Sequence, residues 1–332
     1  MMNKHKKSTL FIVTFLCVYA LAGCTTALIQ SGVVYPAPFI AQSGNDGHLE
    51  VEFARDLTFP DDNTAVIYKM VTEQGSELRE SVSQAVGVKM NSQDGNFSKS
   101  ENCTYYNFPT KEGTLVVTID ESVGFWQYYY SATLPENLDY NDTVNQMLKL
   151  EANLPSEAEA IEIARNYINS NKLYDDDLGE AFLGCATTGS EFDENGEIVI
   201  ERHVVFYPQI GGRNVYGLFK IYITIGTEGK IIGVIKQVNS VEAIGTVSLK
   251  TQEEVVKEIM DNSSSVSISA GDLDDAVVIE CQLAYYVDAY VHDGTAYAYP
   301  VYIMQGQGIS TDDMTGTKTM ESFDIIVDAV KR

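Results

Sequence analysis

Behind an apolar leader, the chain alternates between stretches of helical and of strand periodicity. In LPSEAEAIEIARNYI, Ile161, Ala164, Tyr167 and Ile168 share one face at helical spacing, as do Val255, Val256, Ile259 and Met260 in LKTQEEVVKEIM. Each of these segments opens on a hydroxyl three residues before a glutamate, Ser156 with Glu159 and Thr251 with Glu254. At that spacing hydroxyl and carboxylate each satisfy a helix-start N–H, so both are capping boxes, 95 positions apart. A third helix is expected near Ser76–Val86, stopped by Gly87, and a connecting one over YNDTVNQMLKLEANL.

Strand periodicity follows each helix. After the first capping box come EIVIERHVVFY, NVYGLFKIYITI and KIIGVIKQV, split by Pro208–Gly212 and by Glu228-Gly229. Phe219, Ile221, Ile223 and Ile225 alternate with Lys220, Tyr222 and Thr224, the period of a half-buried strand. After the second come AVVIECQLAYYVDAYV and TAYAYPVYIM, flanking His292-Asp293-Gly294, and then FDIIVDAV. Pro300 lacks a ladder donor, which places its strand at an edge or at a bulge. The earlier helix leads into CTYYNF, TLVVTI and FWQYYYSA, with HLEVEFA and TAVIYKMV as extra strands ahead of it. No βαβ alternation calls for a parallel sheet. The pattern predicts an α+β protein of repeated helix-plus-antiparallel-meander modules, helices packed on antiparallel sheets. An N-terminal α+β domain is expected over 48–150, and a C-terminal region over 151–332 holding two repeats, about 151–244 and 245–332.

The leader changes the picture of where the chain acts. Lys4, Lys6 and Lys7 precede Leu10–Cys24, a run without a charge, which is the layout of a secretion signal over 1–23. The run is short of the about 20 residues that span a bilayer. It ends in Leu21-Ala22-Gly23-Cys24, which resembles the lipobox of bacterial lipoproteins and implies a diacylated Cys24, extracytoplasmic and anchored to the cell membrane. Residues 24–47, mixing Gly, Ser, Pro and Gln, read as a tether with a reach of roughly 25 Å.

The 332 residues carry 22 Lys+Arg against 47 Asp+Glu, a formal net charge of −25. With no basic cluster beyond the leader, nucleic acid is excluded as a partner. The same charge holds the body off anionic headgroups within a Debye length of ~8 Å, while acyl chains supply the anchoring.

Catalytic chemistry finds little footing. His48, His203 and His292 are scattered, with no metal-binding spacing among them, and no cofactor is implied. Glu191, Asp193, Asn195 and Gly196 fit the opening of a calcium loop, but its twelfth position is Arg202, so a hairpin turn is the reading preferred. Asp175-Asp176-Asp177 reads as a solvated loop. Cys103, Cys185 and Cys281 allow at most one internal pair, and no signature ties any of them to a histidine. Paired acids of a hydrolase are not singled out by spacing. The strand Phe125–Tyr130 stands out: Trp126, Tyr128 and Tyr130 project to one face and Phe125, Gln127 and Tyr129 to the other, one core and one open to a ligand. The candidate contacts are Trp126, Tyr128 and Tyr130 together with the turn Gly211, Gly212 and Arg213.

The stretch FYPQIGGRNVYGLFKIYITIGTEGKIIGVIKQV, with LPSEAEAIEIARNYI ahead of it, resembles YycH/YycI-type extracytoplasmic regulators and, more loosely, PepSY-like modules. The residues that carry it are Glu157–Ala160, Gly212–Tyr216 and Gly229–Ile231. The resemblance covers roughly 155–240 well and 247–304 weakly, and those regulators hold a transmembrane helix where this chain has a lipobox. It implies a noncatalytic module that binds and regulates an envelope protein such as a sensor kinase or peptidase. A receptor for cell-wall glycan or peptide is the competing expectation, and an acid-dependent hydrolase a third.

Overall fold

The computed structural model describes residues 28–30, 33–35, 50–72, 75–111, 113–132, 148–149, 151–174, 178–193, 196–237, 240–261, 266–268, 273–287, 296–311 and 315–332. The signal sequence, Cys24, His48, the acidic run at 175–177 and the His292 turn lie outside them, as does most of the expected connecting helix. The chain forms two compact units, Met1–Ala37 and Pro38–Arg332. Within the first, β1 (Leu28–Gln30) and β2 (Val33–Tyr35) pair antiparallel, inside the stretch expected to be a tether.

The second unit is α+β: a large, mostly antiparallel mixed sheet with three helices among the described residues. The helices are α1 (Gly75–Val86), α2 (Glu157–Ser170) and α3 (Gln252–Met260). Both capping boxes are formed. Glu159 N donates to Ser156 Oγ at 3.3 Å while Ser156 N donates to Glu159 Oε2 at 2.8 Å, and Thr251 and Glu254 repeat the exchange at 3.3 and 2.8 Å. Gly87 ends α1 in the left-handed region that glycine tolerates, φ +74°, its N–H bonded to Ser83 O.

One half of the sheet runs in the order β5 (Asn96–Ser98), β6 (Cys103–Pro109), β7 (Gly113–Asp120), β8 (Phe125–Ala132), β13 (Ile231–Lys236), β12 (Ile221–Ile225), β10 (Gly196–Ile210) and β9 (Gly179–Asp193), all neighbours antiparallel. On one face, Leu78 and Val82 of α1 and Ala160, Ala164 and Ile168 of α2 enter a core with Leu115, Val117, Trp126, Val204, Phe206 and Ile223. Each large apolar side chain so buried contributes about 1.5–3 kcal/mol.

The other half is built around β16 (Asp274–Val287) and β17 (Tyr297–Thr311). β18 (Lys318–Asp328) and β4 (Thr64–Val71) flank β17, β14 (Ser240–Ser248) flanks β4, and β15 (Val266–Ile268) flanks β18. β3 (Val51–Phe53) and β11 (Arg213–Gly217) run parallel to β16. Val255 and Ile259 of α3 pack on this half with Tyr302, Met304, Ile325 and Val327.

Three expectations change here. NVYGLFKIYITI is two strands, because Gly217 at φ +91° sits so close to Val287 O (2.2 Å from an added Cβ) that only glycine lets β11 leave its hairpin and join β16. β17, which carries Pro300, is an interior strand: Ala329 N donates to Pro300 O at 3.2 Å, and the missing donor falls at the seam where β4, paired to Ala298, gives way to β18, paired from Val301. The boundary expected near 150 separates no sheets, since β8 pairs with β13, β4 with β14 and β17, and β3 with β16.

Candidate functional site

Alternation along β8 decides which of its aromatic residues face the helices. Trp126 is fully buried and stacks on Tyr128 at 6.4 Å with the planes 7° apart. Tyr128 Oη donates to Tyr167 Oη at 3.3 Å, and Tyr167 Oη donates to Ala85 O at 2.8 Å, tying strand, α2 and α1 together. Burial raises the Tyr128 hydroxyl far above its ordinary pKa. Tyr130 is half-buried under Lys230, whose Nζ lies 5.1 Å from its ring centre. The three residues proposed as ligand contacts thus lie on the helix side, because α1 and α2 roof that face.

The opposite face stays half-open, and cross-strand register shows what it presents. One row reads Val116, Tyr129, Gly233, Thr224, His203, Thr187 across six strands. The next reads Thr118, Gln127, Ile235, Tyr222, Val205, Cys185. Neither row contains Asp, Glu, Lys or Arg, in a chain with 47 acidic residues. Tyr129 is 46% exposed.

Titratable groups gather at the β9 end of these rows. His203 Nε2 and Glu201 Oε1 are 2.7 Å apart, and the imidazole lies 5.1 Å from the Tyr222 ring. Burial, then the Glu201 carboxylate and the Cys185 thiol, push Tyr222 up to about 12. Burial lowers Lys220. Beside them Phe182, Tyr207 and Tyr216 meet at 5.6 to 5.8 Å. Two glycines in β9 make room: a Cβ on Gly184 would stand 2.3 Å from the Tyr207 ring, and one on Gly189 would stand 2.5 Å from Glu201. The imidazole is oriented by Glu201 but bonds no nucleophile among the described residues, so the pair presents a polar contact within an aromatic surface.

The turn residues sit elsewhere. Gly211 and Gly212, φ +58° and +76°, make a two-residue hairpin turn with left-handed backbone at both central positions, and Ile210 pairs Arg213 across it. Arg213 Nη2 reaches Asp62 Oδ1 at 2.6 Å, ahead of β4. Gly211, Gly212 and Arg213 therefore join the two halves of the sheet, apart from the uncharged rows.

The three described cysteines are free. Burial first, then Asp120 and Glu101, pushes Cys103 up to about 11, and burial with Glu280 pushes Cys281 up to about 12. Among the described residues no three His, Cys, Asp or Glu side chains converge as for a metal ion, and no helix is long and apolar enough to cross a membrane. The segment with calcium-loop spacing is the β9–β10 hairpin, with Asp193 paired to Gly196.

The sequence readout missed β9, Glu201 and the grouping of His203 with Tyr222 and Cys185. The signal for Glu201–His203 was an i, i+2 pair on an expected strand, which alternation puts on one face.

No protein-family profile matches the chain. No curated protein matches it. Among solved structures, an uncharacterized protein from Eubacterium rectale is similar, with a TM-score of 0.40 and 11% identity, over 87% of this chain and 90% of that one.

Proposed function

We propose that this is a noncatalytic, lipid-anchored envelope protein that binds another envelope protein through the open sheet face and thereby regulates it. The observation that carries the reading is the pair of uncharged, aromatic-bearing rows on a strongly acidic chain. Interfaces are depleted in charge at their centre and enriched in Tyr, Phe and Trp, whereas a merely solvated sheet face has polar and charged residues. The leader and Cys24 supply the location, and the resemblance of 155–240 to extracytoplasmic regulators supplies the class of role. In this reading the unit is a threefold use of one plan: α1 before β5–β8, α2 before β9–β13, and α3 before β16–β18.

The test is capture from solubilised envelopes with the mature lipidated chain as bait. Wild type and Glu162→Ala, on the helix side, should recover the same discrete envelope protein, and Tyr129→Lys with Thr224→Lys should lose at least tenfold of it with an unchanged melting temperature. Equal recovery by all three contradicts the assignment of the face. Cys24→Ala should release the protein from membranes, and a variant that stays bound contradicts the anchor.

A further inference from the structure

The proposed binding face ends at an open strand. β9 spans fifteen residues and, among the described residues, pairs with β10 alone. Edge strands are normally blunted by shortness, bulges or charge. β5, at the far side of the same half, has three residues. β14, also an edge, carries Glu242 and a register break between Ala243 and Gly245. β9 differs. Its residues 181–190, AFLGCATTGS, hold no charge, and Leu183, Cys185, Thr187 and Thr188 are exposed. After a bulge at Gly184, Cys185–Gly189 face Val205–Glu201 in unbroken register.

We propose that β9 takes up an added strand from the bound partner, an extended segment whose uncharged middle is flanked by Lys or Arg. Main-chain N–H and C=O groups on the outer side of β9 supply the ladder, as in other strand-addition complexes. Charge selects the flanks: Glu191 and Glu180, both exposed, bracket the uncharged run, Glu180 in a loose surface pair with Arg165 Nη1 at 3.6 Å that an incoming cation can join. A second copy of this chain is disfavoured, because full antiparallel overlap of two β9 strands sets Glu180 beside Phe192 and Asp193 at both ends, between bodies of formal charge −25. The inference rests on the binding reading and names the partner's chemistry.

The experiment uses the mature lipidated chain in a neutral detergent and three fluorescent peptides: Lys-Lys-Thr-Val-Thr-Val-Thr-Val-Thr-Lys-Lys, the same with Glu for every Lys, and the basic peptide with Pro for its central Val. Anisotropy gives affinity, and amide hydrogen exchange reads protection along β9. The basic peptide should bind and protect Cys185–Ser190, the Pro peptide should bind at least tenfold more weakly, and Glu180→Lys with Glu191→Lys should reverse the preference between basic and acidic peptides. Equal binding of the Pro peptide, no protection of β9 at about 1 mM peptide, or β9 protected in a peptide-free dimer would each overturn the proposal. If the peptides fail while capture through Tyr129 persists, strand addition is wrong and the face assignment stands; if both fail, the binding reading falls as well.

Discussion

Trp126 has no exposed surface, and its indole N–H finds no acceptor among the described residues. The side chain is held by packing alone, so Trp126→Ala should cost about 3–5 kcal/mol, the range for emptying an aromatic site. Trp126→Phe should cost much less, since it keeps most of the ring contact and removes an unpaired donor. Denaturant melts of the two variants check this, and equal losses would contradict it. Cys281 makes a second prediction. Its thiol is raised from 9.0 to about 12, chiefly by burial, so between those values the unfolded chain has lost a proton that the folded chain keeps. Stability should therefore fall as pH rises through that window. In Cys281→Ala the fall should be shallower, and thermal melts across the alkaline range that show identical slopes would contradict the burial. At this scale the sequence showed which residues of β8 are aromatic and that they divide between two faces. It did not show which face the helices cover, because that depends on α1 and α2 crossing strands far away in the chain.

The helices were legible because their signals are local. Ser156 and Thr251 cap helices whose first turns they fix, and Ser156→Ala and Thr251→Ala should each lower stability by about 0.5–2 kcal/mol. Urea unfolding measures this, and a loss at neither position would show that tertiary packing holds both helix starts. Strands rich in alternating Ile, Val and Tyr, such as β12 and β7, were legible for the same reason. β9 was not: FLGCATTG is interrupted by two glycines and shows no apolar alternation, and Leu183, Cys185, Thr187 and Thr188 remain exposed. The split of β11 from β12 was hidden too, since it depends on Gly217 meeting the Val287 carbonyl, 70 positions away in sequence.

At the scale of the molecule, capping boxes and repeats make 151–332 look self-sufficient, yet its strands β13, β14, β16 and β17 are all paired to strands from before position 150. A purified 151–332 fragment would expose the edges of β13 and β14 and should melt without cooperativity; a sharp two-state melt would show that the shared sheet is dispensable. The pairing also explains how an acidic protein presents a neutral surface: the two rows draw one residue each from six strands of one half of the sheet, two from before position 150 and four from after it, so no contiguous stretch of sequence announces them. The most direct test of that surface is a photoreactive amino acid placed singly at Tyr129 and Tyr222, on the rows, and at Glu162, on the exposed side of α2, followed by irradiation of intact cells. Tyr129 and Tyr222 should yield an adduct to one and the same envelope protein, with none at Glu162. Equal adducts at all three positions, or an adduct at Glu162 alone, would contradict the claim that this face is where the protein acts.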